Sequence, residues 1–301
     1  MKIEIISTES LGARGMCTMV EVTNRRILID PGIALGLLRQ GLFPHPAQIA
    51  RGAELRERII HACTQATDIV FSHYHGDHIP LAKSNPYQLP LARVATYLKN
   101  TRLWGMNPHH ASPIMQARAE DIETVSGTAI ETAEGQCDGE IQFSAPVPHG
   151  CYGSEPNMVM MTCIKDNDLV FVHASDIQLI ESDPVQWIIN CRPDVVFVSG
   201  PPLYLHIFSS DTRKAAWDNA RALAEMVPTL IIDHHLLRSW EGIQWLAEVQ
   251  HHSQTRVICA ADHQHKKRRF LEADRVHLYQ EQPVPEGWHK AYEKNWNKII
   301  Q

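Results

Sequence analysis

The chain has 301 residues, 44% of them hydrophobic, with seven cysteines and a net charge of −6 when histidines are neutral. That length sustains a sizeable core, and the charge argues against a broad basic face for nucleic acid. No apolar run nears the roughly 20 residues of a membrane helix, and the cysteines (17, 63, 137, 151, 163, 191, 259) are odd in number and lack a Cys-x-x-Cys pair. Neither a disulfide framework nor a zinc ribbon is expected, and reduced thiols in a cytoplasmic protein are.

In chain order, residues 2–7, 16–22 and 26–30 read as strands, with Thr23-Asn24-Arg25 as a turn. Met1 to Ile6 alternates like a strand rather than a secretory leader. The third strand ends in Asp30-Pro31-Gly32, which by itself is only a turn. A Gly- and Pro-punctuated loop, 33–46, precedes a helix at 47–66 whose Ile49, Leu55, Ile59, Ile60 and Cys63 follow a helical period.

The apolar run Asp68-Ile69-Val70-Phe71 then delivers Ser72-His73-Tyr74-His75-Gly76-Asp77-His78. His73 and His75 are two apart and share a side if the backbone is extended. Gly76 permits a turn, after which Asp77 and His78 can face a second point. One metal would struggle to use all four side chains from so short a loop. Two metals about 3.5–4 Å apart could, and such pairs are a hydrolytic device.

An irregular stretch, 80–90, precedes an expected strand at 93–98. A connection carrying Trp104 leads to a helix at 107–125, with His109 and His110 placed at the surface or a pocket rim. Strands at 128–132 and 140–145 lead to Pro146-Val147-Pro148-His149-Gly150, where two prolines hold His149 at a strand end. Strands at 158–164 and 169–175 flank a turn at 165–168, and the second ends His173-Ala174-Ser175-Asp176. Asp176 could cap a helix, but Ser182 or Asp183, with Pro184, can start the next one without it. His173 falls on the opposite strand face as a packing residue.

Helices at 182–190, 211–226 and 239–250 then alternate with strands at 194–199, 229–233 and 256–260. Such alternation implies parallel strands whose C-terminal ends converge on one edge. Asp233-His234-His235 lies at that edge, with His234 the preferred donor because it comes first after the strand and His235 the alternative. Asp262-His263-Gln264-His265 also carries donors, yet the basic run 266–269 follows directly, so a helix start with a solvated face is expected. A C-terminal helix from Pro283 presents Trp288, Tyr292 and Trp296 at helical spacing. No linker divides the chain, and its halves repeat a strands-then-helix pattern, so residues 1–301 are read as a single domain.

The series Asp30, His73-x-His75-x-Asp77-His78, His149, Asp176 and His234 resembles the motif series of the metallo-β-lactamase superfamily of metal-dependent hydrolases, over nearly the whole chain. Glu9-Ser10-Leu11-Gly12, Leu28 to Gly32, Pro146 to Gly150, Gly200 to Leu205 and Ile232 to His235 are similar to a largely archaeal branch of it with no assigned substrate. The Asp262 to His265 stretch departs from that branch. The resemblance implies an α/β four-layer αββα sandwich, two mixed sheets flanked by helices, with the site at one rim. It implies that Asp30 buttresses the histidine loop by hydrogen bonding. It further implies that His73, His75 and His149 hold one metal, that Asp77, His78 and His234 hold another, and that Asp176 bridges them.

Imidazole and carboxylate donors suit two divalent ions, with zinc expected and iron or manganese the alternatives. Di-iron redox members usually carry a glutamate in place of the second histidine, where this chain has His75. A bridging hydroxide would be the nucleophile, with Asp77 orienting it or moving its proton. A phosphodiester or other phosphate ester is the expected substrate, because two cations match an in-line displacement. Lactone, thioester and amide hydrolysis use the same site, and a non-catalytic metal-bound sensor is the non-enzymatic alternative. Tyr74, Tyr204 and His206 are candidate substrate contacts.

Overall fold

The chain opens with an antiparallel meander of β1 (Lys2–Ile5), β2 (Thr18–Val22) and β3 (Arg25–Ile29), and β4 (Asp68–Phe71), β5 (Arg102–Gly105) and β6 (Ile130–Thr132) extend it in parallel. The computed structural model describes residues 1–150, 157–167 and 169–300, the last four by backbone alone. Cys151, and Asp168 of the expected 165–168 turn, lie outside the described residues.

A second sheet repeats the plan. β7 (Cys137–Asp138) and β8 (Ile141–Phe143) come first, and β9 (Val147–Pro148) pairs apart with β10 (Met158–Val159). β11 (Thr162–Asp166) and β12 (Leu169–Ser175) complete the antiparallel part. β13 (Val195–Val198), β14 (Thr229–Ile232) and β15 (Arg256–Ile258) then run parallel to β12. All four residues of β13 are buried, as expected of a parallel strand covered on both faces.

Alternation along the strands sets the layers. Ile27 and Ile29 point between the sheets, where they join Val70, Trp104, Phe143 and Phe171. Leu28, Ile69 and Phe71 point outward, onto α1 (Pro46–Cys63) and the later α3. His45 caps α1: its N–H donates to Gln48 Oε1 at 2.9 Å and its Nδ1 accepts from the Ala47 N–H at 3.2 Å, while Pro46 takes the first turn. α2 (Ala95–Leu98) and α3 (Pro113–Ser126) follow. The second sheet is covered by α4 (Ser182–Cys191), α5 (Ser210–Met226) and α6 (Trp240–His251). α7 (Ala260–His263), α8 (Arg275–Glu281) and α9 (Trp288–Ile300) complete the four-layer αββα arrangement. In α9 Trp288 and Tyr292 pack onto the first sheet's outer core, and the Arg56 guanidinium lies 4.5 Å from the Trp296 ring centroid.

Two expected elements are corrected. Residues 93–98 are not a strand: a 3₁₀ turn at Leu91–Arg93 leads into α2, and β5 follows at 102–105. Leu91, Val94 and Leu98 are fully buried at i, i+3 and i+7, a helical spacing that outweighs the β-preferring Val, Thr and Tyr around them. Trp104 is consequently a core strand residue, not part of a connection. The helix expected from 107 starts at Pro113 behind a separate 3₁₀ turn at Pro108–His110, and stops where Gly127 adopts φ 71°.

Both meanders end in a left-handed residue, Asp30 (φ 49°) and Ser175 (φ 52°), which swings the chain off the sheet at the same rim. Gly32 lets the loops close there, since a Cβ on it would lie 2.2 Å from the His78 carbonyl carbon. Among the described residues no helix is long and apolar enough to cross a membrane.

Candidate metal centre

Beyond β4 the chain folds into one helical turn, in which the N–H groups of His78 and Ile79 donate to the His75 carbonyl at 3.0 and 3.2 Å. The turn separates two pairs of side chains. His73 Nε2 and His75 Nδ1 lie 2.9 Å apart on one side, while Asp77 and His78 face the end of β14 on the other. His149 follows β9, its N–H donating to the Asn157 carbonyl at 2.8 Å, and Asp176 follows β12.

Asp176 stands at the centre of these groups. Its Oδ2 is 3.0 Å from His149 Nε2, 3.4 Å from His73 Nε2 and 3.9 Å from His75 Nδ1. Its Oδ1 is 3.2 Å from His78 Nε2 and 3.5 Å from His234 Nε2. Asp77 Oδ2 is 3.4 Å from His234 Nε2, which is 3.4 Å from His78 Nε2. Donor atoms about 2.0–2.1 Å from a common ion sit about 3.3–3.4 Å apart at tetrahedral corners. The second group has that spacing. His234 therefore joins Asp77 and His78, whereas His235 Nε2 lies 3.4 Å from Asp176 Oδ2, on the side of the first group. The aspartate and all the imidazoles except His75 are buried, and the cluster meets solvent through the partly exposed His75 and Asp77.

The donor set fits divalent cations. Burial, with His78 and His75 nearby, pushes the His73 imidazole down to about 3; burial and the Arg238 guanidinium push His234 to about 4. Burial also lowers His149, and takes His235 well below the ordinary range. These rings are thus neutral at pH 7 and keep one lone pair each, which on His234 lies at Nδ1 toward the Gly15 N–H, so its Nε2 is open to a cation only when that bond is given up. Asp77 and Asp176 are anionic: burial opposes their charge, but His234 and His78 for Asp77, and His235 and His78 for Asp176, more than offset it. Among the described residues Asp176 Oδ1 is buried without a hydrogen-bond partner, an orphan that a cation would satisfy.

Asp30 holds this arrangement from behind. Its carboxylate accepts from the Ser72 N–H (2.8 Å), Ser72 Oγ (2.7 Å), Ser175 Oγ (3.0 Å) and His78 Nδ1 (2.9 Å). Burial would raise its pKa, but His78, with His173 and His73 nearby, lowers it to about 2. His78 in turn is raised well above its usual value by Asp176 and Asp30 despite burial. Ser72 gives its one proton to Asp30, so its oxygen accepts from His73 Nδ1 at 2.9 Å and fixes that ring too.

Several participants have no motif to announce them. Arg238 Nη2 lies 2.7 Å from His234 Nε2 and 3.5 Å from Asp77 Oδ2, and the Gly15 N–H donates to His234 Nδ1 at 3.1 Å. Behind Arg238, Glu9 and Glu272 are buried beside the partly exposed Arg14, which grips Glu272 through two nitrogens. Burial and Glu272 push the Glu9 carboxyl up to about 8, while Arg14 holds Glu272 near 2 against burial. Gln178 touches His149. Glu9 opens the Glu9-Ser10-Leu11-Gly12 stretch and Gln178 stands two places after Asp176, whereas no local signal marks Glu272.

The remaining candidates separate. Tyr74 is corrected: it is fully buried, with its hydroxyl donating to the Met106 carbonyl at 2.6 Å, because it takes the face of the loop opposite His73 and His75. Tyr204 is half-buried under the Arg39 guanidinium, 4.1 Å from the ring centroid, and His206 is exposed on the same loop. His173 packs between Phe171 and Phe197, its Nε2 2.9 Å from the Met16 carbonyl. Asp262 pairs with Arg268 at 2.7 Å and caps α7, and among the described residues it joins no donor cluster. His109 and His110 are exposed.

No family model matches the chain. A UPF0282 protein of Methanosarcina mazei is 45% identical over 98% of this chain and 97% of its own length, and one of Methanopyrus kandleri is 34% identical over 92% and 99%. Among solved structures, a metal-dependent hydrolase of the β-lactamase superfamily superposes at TM-score 0.50 and 12% identity, covering 85% of this chain and 94% of that one. The metallo-β-lactamase fold protein YhfI of Bacillus subtilis does so at 0.49 and 12%, covering 83% and 94%. By its identity to archaeal relatives along almost the whole sequence, the chain belongs to the UPF0282 family, and its fold is the metallo-β-lactamase fold.

Proposed function

We propose that this protein is a metal-dependent hydrolase with a dinuclear centre, most simply of zinc. His73, His75 and His149 would hold one ion and Asp77, His78 and His234 the other, with Asp176 shared. The observation that carries this reading is Asp176 itself, one oxygen turned to each group and Oδ1 without a hydrogen-bond partner among the described residues. Bound there, divalent ions supply Lewis acidity and bring a water's pKa toward about 7. Asp77, anionic and open to solvent, would orient the attacking water or take its proton. Asp30 accepts from His78 Nδ1 and so turns Nε2 toward the centre, where a cation would take the place of its proton.

The substrate we favour is a phosphodiester or other phosphate ester. Water oxygen would bond to phosphorus, the ester P–O bond would break, and the leaving alcohol would carry away a proton. Tyr204 and His206 line the approach to it in this reading. The 301 residues act as one domain, since donors come from loops of both sheets, and the six described cysteines, all free, support a cytoplasmic setting.

The test is a panel of a nitrophenyl phosphodiester, a lactone and a thioester, run beside metal analysis. Chelator-sensitive phosphodiester cleavage is expected. Cleavage of the lactone or thioester alone would replace the substrate class, and no turnover at full metal loading would overturn the enzyme.

A further inference from the structure

We infer that Gln178 selects the tautomer of His149, and so decides whether that ring can hold a cation. The inference rests on the metal-centre reading above. Gln178 is 1% exposed; its Nε2 lies 3.2 Å from His149 Nδ1, while its Oε1 is buried with no hydrogen-bond partner among the described residues. On the other side of the ring, His149 Nε2 lies 3.0 Å from Asp176 Oδ2.

A neutral imidazole carries one proton for two nitrogens. When the amide N–H donates to Nδ1, that proton sits on Nε2 and donates to Asp176, so the nitrogen facing the centre has no free lone pair. A half-turn of the amide brings Oε1 against an Nδ1–H instead. This pairs the orphaned oxygen and leaves the Nε2 lone pair directed at Asp176 and His73.

An amide supports both states; a carboxylate supports only the second and a hydrocarbon neither. The partners of His73 and His78 do not have this choice: Ser72 has committed its proton and Asp30 has none to give. His149 is thereby held by a partner that can turn over as a cation arrives. Gly150 makes the room, because a Cβ there would lie 2.2 Å from Gln178 Oε1 and 2.3 Å from its Cδ.

Metal-stripped wild type, Gln178→Leu, Gln178→Glu and His149→Ala would be titrated with Zn²⁺ against a chelating dye, with thermal unfolding of each metal-free protein alongside. Loss of an outer hydrogen-bond partner typically weakens metal affinity about 10–100-fold. Gln178→Leu is expected to lose that much at one ion while unfolding like wild type without metal, and Gln178→Glu to bind that ion at least as tightly as wild type. Wild-type affinity in Gln178→Leu, or weaker binding in Gln178→Glu, overturns the inference. His149→Ala should lose one ion outright; if it keeps both, the metal-centre reading itself fails, a result distinct from failure of the Gln178 role.

Discussion

Replacing Asp30 with alanine tests how much of the fold's stability is concentrated behind the histidine loop. The carboxylate is fully buried and accepts four hydrogen bonds from three residues. The Ser72 and Ser175 hydroxyls can rotate toward each other, being 2.7 Å apart, but among the described residues the Ser72 N–H and His78 Nδ1 have no acceptor besides Asp30. Two stranded buried donors, at about 1–3 kcal/mol each, give a loss of about 2–6 kcal/mol, a range that spans the cost of removing one partner of a buried charged pair.

The pH dependence supplies a second arm. The folded pKa of about 2 lies below the ordinary 3.8. A depressed carboxylate contributes stability that is present above about pH 4 and disappears as pH falls through about 2, here about 2 kcal/mol. Urea unfolding of chelator-stripped wild type and Asp30→Ala, followed by tryptophan fluorescence, should show a lower midpoint at unchanged slope at pH 7. The gap between the two proteins should narrow from pH 4 toward pH 2. A loss under about 1 kcal/mol at pH 7, or a gap that widens in acid, would refute the assignment of Asp30 as a buried anionic acceptor.

Removing His73 and His75 together, both to alanine, should take at least one of an expected two ions per chain, read by elemental analysis. An unchanged metal content would show that the ions bind elsewhere. Glu9 gives a pH signature of opposite sign to Asp30. With its carboxyl pushed up to about 8, ionisation is disfavoured in the folded chain, so wild type loses stability as pH rises from about 4.5 through about 8. Glu9→Gln keeps the shape and cannot ionise, so its stability relative to wild type should grow between pH 5 and pH 8 in paired denaturation curves. A difference that stays flat would mean that Glu9 is charged in the folded protein.

The parts of the centre that could be read in advance are those encoded locally. His73, His75, Asp77 and His78 fall within one turn after an apolar strand, and a single helical turn suffices to send them to two sides. Asp30, His149 and Asp176 each stand directly after a strand, where the chain leaves the sheet. Local patterning misled where two periods overlapped. Leu91, Val94 and Leu98 sit within a β-preferring composition, and Tyr74 read as a substrate contact because it stands between two donor-type histidines. The Arg14–Glu272 pair, 258 positions apart, left no trace at all.

What the sequence by itself determined was the kind of donors available and the strand ends that carry them, because alternation and turn chemistry act over a few residues. Which nitrogens meet was decided only when the two sheets packed face to face and brought the ends of β4, β9, β12 and β14 to one rim. That packing turned one oxygen of Asp176 to each group, gave His234 rather than His235 to Asp77 and His78, and buried Gln178 against His149. Such contacts depend on the depth and angle of a core assembled from residues far apart in the chain, so no short stretch of sequence contains them.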